Sequence, residues 1–338
     1  MIKVIFKNVD QGDSIILEWE NDAGETKIGI IDSNLIPSNA NPVLDHIIRS
    51  ESKEIEFLIL SHPHLDHYSG FYQVLNYCEA NAIHVKYFLH TSMQVPEYLQ
   101  TSVKSVHATN ELKKLFLKVR DLTRSGIIKT HGYVTDNSKE IELNNHIRLK
   151  FLSPSPLECD NYVSHVPLYH EEDGNNNPNA NWLSTFIKVY SDNWFILLTA
   201  DVDKTVLLRL GTKHSDEFSK TLLLAQSPHH GASLNHRNSF WKTGITNRRT
   251  NTPIVFSVGN NIYRHPSEEA VKFFHNHDYS IFSTNQVGCL NTIDDETVHR
   301  KSTALDSSSF TLYSKVPSRK LNGDKVFIIK KDKIDIVE

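Results

Sequence analysis

The order of apolar and polar positions reads as a run of short strands broken by a few helices. Residues 2–8 and 14–19 have strand-like patterns and are joined by the turn Asp10-Gln11-Gly12-Asp13. Asn21-Asp22-Ala23-Gly24 is a hairpin-type turn into a third strand, 27–31, which ends at Asp32. Three early strands with short turns predict an antiparallel start to a sheet. Residues 42–48 have helical spacing, and a strand over 56–60 follows. Beyond Gly70 the pattern predicts a helix over 71–77, a strand over 83–89 and an amphipathic helix over 111–122. That last helix carries Leu112, Leu115, Phe116, Val119 and Leu122 on one face. Strands follow near 127–130 and 147–152, the latter closed by Ser153-Pro154-Ser155-Pro156. Residues 157–181 are polar, irregular and rich in Asn, which predicts a long loop, either a lid or an insertion. Strands return at 184–190 and 194–199, then a short helix over 203–210 and strands over 221–225, 254–258 and 280–284. A helix capped by Ser267 runs through Phe274, and a last strand lies near 326–329. No linker or internal repeat divides the chain, so residues 1–290 are expected to form one domain, with 291–338 an extension packed on it.

Several strands end in residues that bind metals. The apolar run Leu58-Ile59-Leu60 stops at Ser61-His62-Pro63-His64-Leu65-Asp66-His67-Tyr68-Ser69-Gly70. Imidazole and carboxylate suit zinc and related divalent ions. His62 and His64 stand two apart, so an extended backbone, favoured by Pro63, projects both to one side. Asp66 and His67 are adjacent at the turn into the next helix and face a neighbouring position. This arrangement suits two metals, with His62 and His64 on one, Asp66 and His67 on the other, and Asp201 as a possible bridge. A hydroxide held between two such ions forms at neutral pH and attacks, which makes hydrolysis the expected chemistry. Asp32, Asp201 and the pair His229-His230 close three further strands, and strand ends on one sheet edge converge. His265, in the loop Asn260 to Pro266, is a weaker candidate that also suits a solvated turn. No Gly-x-Ser-x-Gly elbow is present, and the cysteines lack a nucleophile's context.

Composition narrows the class. The chain of 338 residues is 39% hydrophobic and 22% charged, as for an ordinary globular protein. It lacks a membrane-length apolar run, and its N-terminus reads as a strand instead of a signal peptide. Cys78, Cys159 and Cys289 are isolated and odd in number, which argues against a disulfide scaffold and for a reducing cytoplasm. With 36 basic and 40 acidic residues, global charge announces no nucleic-acid binder, although Arg237, Arg248, Arg249 and Arg264 are available for a local basic track.

The order of motifs resembles the metallo-β-lactamase superfamily, and within it the hydrolase domain of the competence protein ComEC and its stand-alone relatives. Six stretches carry the resemblance: residues 8–14, 29–32, 61–70, 197–201, 228–233 and 261–266. It implies a four-layer αβ/βα sandwich of two mixed sheets flanked by helices. It also implies two divalent ions, Zn2+ or Mn2+, held by His62, His64, Asp66, His67, Asp201 and one of His229 and His230. Asp66, His230 and His265 are the expected catalytic groups, with His265 or the spare histidine protonating the leaving oxygen or holding a phosphate. For the ComEC-like branch the implied activity is that of a phosphodiesterase or nuclease acting on nucleic acid or nucleotides. The alternatives are a metallohydrolase of a small molecule (a cyclic nucleotide, lactone or thioester) and a non-catalytic binding module. The sequence departs from the pattern at Asp10, Ala200, Ala232 and Arg264. The superfamily's isolated third histidine has no motif here; His90, His131, His165 and His170 are the candidates.

Overall fold

In the segment Trp194–Leu198, Trp194, Ile196 and Leu198 point into one buried cluster, while Phe195 and Leu197 point into another. A strand that is apolar on both faces needs cover on both, and this requirement dictates a layered architecture. The computed structural model describes residues 1–94, 98–100, 103, 105–167, 178–292 and 321–337.

The first sheet comprises β1 (Ile2–Phe6), β2 (Ile15–Glu20), β3 (Thr26–Ile31), β4 (Glu54–Leu60), β5 (His84–His90) and β6 (Ile128–Tyr133). The second comprises β7 (Ile141–Asn144), β8 (Ile147–Ser153), β9 (Phe186–Tyr190), β10 (Trp194–Leu198), β11 (Thr221–Gln226), β12 (Thr252–Phe256) and β13 (Tyr279–Ser283). The hairpin β14 (Lys325–Lys330) and β15 (Lys333–Val337) adds to the first sheet beside β1. Strand order is β15-β14-β1-β2-β3-β4-β5-β6 in one sheet and β13-β12-β11-β10-β9-β8-β7 in the other. Each sheet is antiparallel in one half and parallel in the other: β3 to β6 are parallel, as are β10 to β13.

Three cores separate four layers. Between the sheets, Trp19 stacks on Phe57 with centroids 5.7 Å apart, and its indole N–H donates to the Leu143 carbonyl at 2.8 Å, joining the sheets. Outside the first sheet lie α1 (Pro42–Ser50), α3 (Phe71–Ala80) and α4 (Val106–Arg124), with the single turn α2 (Leu65–Tyr68) between α1 and α3. Outside the second lie α6 (Lys204–Lys213) and α7 (Glu268–Asn276). This is the αβ/βα sandwich of two mixed sheets that the resemblance implies. Among the described residues no helix is long and apolar enough to cross a membrane.

The polar stretch 157–181 needs correction. Residues Pro156–Ser164 form a helix, α5, started by a capping box in which Ser155 and Glu158 satisfy each other's backbone N–H groups. The Ser-Pro-Ser-Pro sequence signals a turn, but its second half is an N-cap with proline at the first helical position. Residues 168–177, and with them His170 and most of the expected lid, lie outside the described residues. Strands β7 and β15 are only four and five residues long, and the reading of the sequence misses both.

Candidate metal centre

Because β3 and β4 run parallel, their C-terminal ends bring Asp32 beside Ser61 and His62. Across the interface β10 and β11 do the same for Asp201 and His229-His230. The backbone is held in the left-handed region at Asp32 (φ 61°), Ala200 (41°), His229 (47°) and His230 (53°). Such conformations cost non-glycine residues about 1–3 kcal/mol each and persist where surrounding structure imposes them. Here the ties are visible: Asp32 N–H donates to Ile59 O at 2.9 Å and His229 N–H to Ala200 O at 2.8 Å.

Asp201 sits at the centre. Its Oδ2 lies 3.5 Å from His62 Nε2 and 3.4 Å from His229 Nε2, while its Oδ1 lies 3.5 Å from His230 Nε2 and 3.6 Å from His67 Nε2. His62 Nε2 and His64 Nδ1 are 3.0 Å apart. Asp66 approaches His230 at 3.6 Å and His67 at 4.0 Å. Three groups have ligand atoms mutually within 4.8 Å: His62, His64 and Asp201; Asp66, His67 and His230; and Asp13, His67 and Asp201.

The residues fit divalent metal binding on a physical ground. Asp13 Oδ1, Asp201 Oδ1, His67 Nε2 and His230 Nε2 are buried without hydrogen-bond partners. A buried polar atom left unpaired costs about 1–3 kcal/mol, so four converging orphans mark a place for ions. The rings carry the orienting partners that metal-binding histidines require. His67 Nδ1–H donates to Asp32 Oδ2 at 2.7 Å and His230 Nδ1–H to Ser257 O at 2.8 Å.

Electrostatics agrees with that reading. Burial disfavours charge on His67, but Asp201, Asp32 and Asp66 hold its pKa well above the ordinary histidine range. Burial likewise opposes charge on His230, which Asp201 and Asp66 raise to about 9. Burial lowers His64 to about 4, and burial together with the charge on His67 depresses His62 strongly. Asp201 is buried, which works against ionisation, yet His229, His230 and His67 keep it ionised well below the usual carboxylate range.

Asp32, expected as a strand-end ligand candidate, has both carboxylate oxygens engaged. Its Oδ1 accepts from Ser61 N at 2.7 Å, and its Oδ2 from Ser61 Oγ at 2.6 Å and His67 Nδ1. It orients His67 from behind. His265 stands at the edge, its ring 5.5 Å from that of His229 and stacked on Tyr263, and burial with nearby His229 lowers its pKa to about 4. The candidates for an isolated third histidine lie elsewhere. His90 Nε2 meets His131 Nε2 at 2.8 Å beyond β4, and His165 packs on Trp182. Of the arginines, Arg248 stacks on Tyr279 and bonds the His277 carbonyl, and Arg249 pairs with Asp332 at 3.2 Å; both precede β12, at the opposite end from the cluster. Arg237 and Arg264 lie in loops after β11 and β12.

Two members of the site were missed. Asp13 is buried behind His67, 3.8 Å from its Nδ1. It stands in a segment that reads as a plain turn, and that turn rests on the cluster. Gly12 there has φ 119°, and a Cβ on it would come within 2.2 Å of the Asp66 carbonyl. Gln226, the polar end of a Leu-rich strand, accepts from Thr199 N and Ala200 N through Oε1 and donates to Asp13 Oδ2 at 2.8 Å. A buried glutamine closing an apolar strand was the available signal for it.

Comparison with known proteins adds three findings. Residues 33–151 match the family model of the metallo-beta-lactamase superfamily, a stretch that begins just after Asp32 and includes His62 to His67; the match supports membership of that superfamily. No curated protein matches the chain. Among solved structures, the metallo-beta-lactamase fold protein YhfI from Bacillus subtilis is 9% identical with a TM-score of 0.45, over 83% of this chain and 95% of that one. A metal-dependent hydrolase of the beta-lactamase superfamily is 13% identical (TM-score 0.42, 84% and 96% covered). A long form RNase Z from yeast is 10% identical (TM-score 0.39, 77% and 37% covered).

Proposed function

We propose that this protein is a cytoplasmic metal-dependent hydrolase that cleaves phosphodiester bonds in nucleic acid or nucleotides, using two divalent ions, Zn2+ or Mn2+. The observation that carries the reading is Asp201, whose two carboxylate oxygens face different sets of imidazole nitrogens at 3.4–3.6 Å. In this reading His62 and His64 hold one ion, Asp66, His67 and His230 hold the other, and Asp201 serves both. Such ions polarise phosphoryl oxygens and acidify water at neutral pH. The chain's own contribution is placement. Asp32 and Ser257 fix the tautomers of His67 and His230, so their Nε2 atoms carry lone pairs toward the centre. His265 is held neutral by its half-buried position and donates an N–H to the leaving or a non-bridging oxygen. The ComEC-like order of the six stretches is the support for phosphodiesters over other substrates. The free thiols Cys78 and Cys159 fit a reducing compartment.

The test is cleavage of bis-p-nitrophenyl phosphate, linear DNA, cyclic nucleotides and a lactone by purified protein with added Mn2+ or Zn2+. Metal content is measured in parallel. Phosphodiester turnover abolished by His64→Ala supports the reading. Turnover of the lactone alone replaces the substrate class, and protein without bound metal or activity refutes the proposal.

A further inference from the structure

We propose that His229 is the missing third histidine of the ion held by His62, His64 and Asp201, and that Asn181 positions it. The inference rests on the two-ion reading above. It assigns both members of the His229-His230 pair as ligands, one to each ion, in place of a choice between them.

Three independent features converge on His229. The first is distance. Two ligands about 2.0–2.1 Å from one tetrahedral ion lie about 3.3 Å from each other. His229 Nε2 is 3.4 Å from Asp201 Oδ2, the same oxygen that His62 Nε2 approaches at 3.5 Å. His62, His64 and Asp201 group three donors about that position, and His229 approaches it through the same Asp201 oxygen.

The second feature is the other side of the ring. His67 and His230 each have an acceptor on Nδ1, so the lone pair of each sits on the inward Nε2. His229 Nδ1 faces the side-chain amide of Asn181 at 3.3 Å. In the arrangement with Nδ2 toward the ring, Asn181 Oδ1 is buried and has no partner. A half-turn of the carboxamide exchanges its two ends, and oxygen and nitrogen are assigned only by such networks. The turned amide accepts from His229 Nδ1–H and leaves the Nε2 lone pair directed at the ion. Asn181 then stands to His229 as Asp32 stands to His67.

The third feature is that both partners are tied to the ligand strands. Consecutive left-handed residues send the two rings apart, with planes 71° apart and centroids 5.8 Å apart, so His230 meets Asp66 while His229 meets the His62 side of Asp201. Asn181 N–H is held by Asn179 Oδ1 at 3.0 Å. Just beyond it, Ser184 Oγ accepts from Asp201 N at 2.9 Å and Thr185 N donates to Ser61 O at 3.1 Å. The segment carrying Asn181 is therefore laced to both strands that deliver the first ion's ligands.

The experiment measures ion stoichiometry and affinity by calorimetry, together with the visible spectrum of the Co2+-loaded protein. Variants are His229→Ala, His230→Ala, Asn181→Leu and Asn181→Asp, each first checked for a cooperative melt. The expected result is that His229→Ala weakens one ion at least 100-fold and leaves the other, with a changed Co2+ spectrum. Asn181→Leu, which keeps size but removes the acceptor, weakens the same ion about 10–100-fold. Asn181→Asp, which restores an acceptor, returns affinity to within a few-fold of wild type. His229→Ala protein that binds two ions with wild-type affinity and spectrum overturns the proposal, as does Asn181→Leu without effect. Wild-type protein that binds two ions but cleaves no phosphodiester refutes the proposed function alone, while protein that binds no ion refutes both.

Discussion

Replacing Asp32 by asparagine is the sharpest probe of how the ligands of the proposed second ion are held. Asp32 is buried and receives three hydrogen bonds, from Ser61 N–H, Ser61 O–H and His67 Nδ1–H, at 2.7, 2.6 and 2.7 Å. Asparagine keeps the first through Oδ1. It also keeps a contact with Ser61 Oγ, because that hydroxyl can turn and accept. It cannot keep the third, since its amide presents N–H to the N–H of His67. The ring must then carry its proton on Nε2, the atom that lies 3.6 Å from Asp201 Oδ1 and that the proposed function assigns to an ion. The lost bond is charge-assisted and worth about 1.5–3 kcal/mol. That equals about 10–100-fold in affinity. The assay is calorimetric titration of Mn2+ or Zn2+ into Asp32→Asn and wild type, with urea unfolding to confirm that the fold persists. One ion should weaken by that factor and the other should hold. Two ions bound at wild-type affinity, or an equal loss of both in a folded protein, would refute the role assigned to Asp32.

Two further predictions concern the frame around the site. Gly29→Ala should destabilise the protein by about 1–3 kcal/mol in urea. The new Cβ would sit 2.1 Å from Cζ of Phe57, which is fully buried against Trp19 and has nowhere to move, so an unchanged midpoint would contradict the packing described. The second concerns acid. A 2.7 Å hydrogen bond from His46, followed by a 2.8 Å pair with Lys3, lowers Glu18 from 4.5 to about 2 against the effect of burial. A depressed carboxylate contributes stability that is fully present above pH 4.5 and is lost as pH falls from there toward 2. Glu18→Gln should therefore cost about 1–3 kcal/mol at neutral pH, with its difference from wild type shrinking over that window. A pH-independent difference in urea midpoint would show that the shift is absent.

Much of the fold was legible because local patterning encodes it. Strands β1 to β5 and β8 to β13 lie within a few residues of their apolar patterns, since a fully covered strand must be apolar on both faces. Helix α5 was hidden because Ser-Pro-Ser-Pro serves a turn and a capped helix equally well until the Glu158 side chain closes the box. The site was half legible. His62, His64, Asp66 and His67 are adjacent in sequence, and their two-by-two division follows from backbone direction alone. Asp13, Gln226 and Asn181 were not, because each is a common polar residue at a turn or strand end.

What the sequence determined by itself is the inventory: parallel-type apolar strands ending in histidine and aspartate, and a chain able to bury them. Which of those ends meet is set by the pairing of strands and the packing of one sheet on the other. Sheet pairing puts residues 13, 32, 67, 181, 201, 226 and 230 in one small volume, and no periodicity within a strand specifies its neighbour across the sandwich. That meeting turns Asp32 from a candidate ligand into a support for His67. It also makes Asp201 a residue shared between two sets of histidines, and brings His229 close enough to Asp201 to belong to one of them.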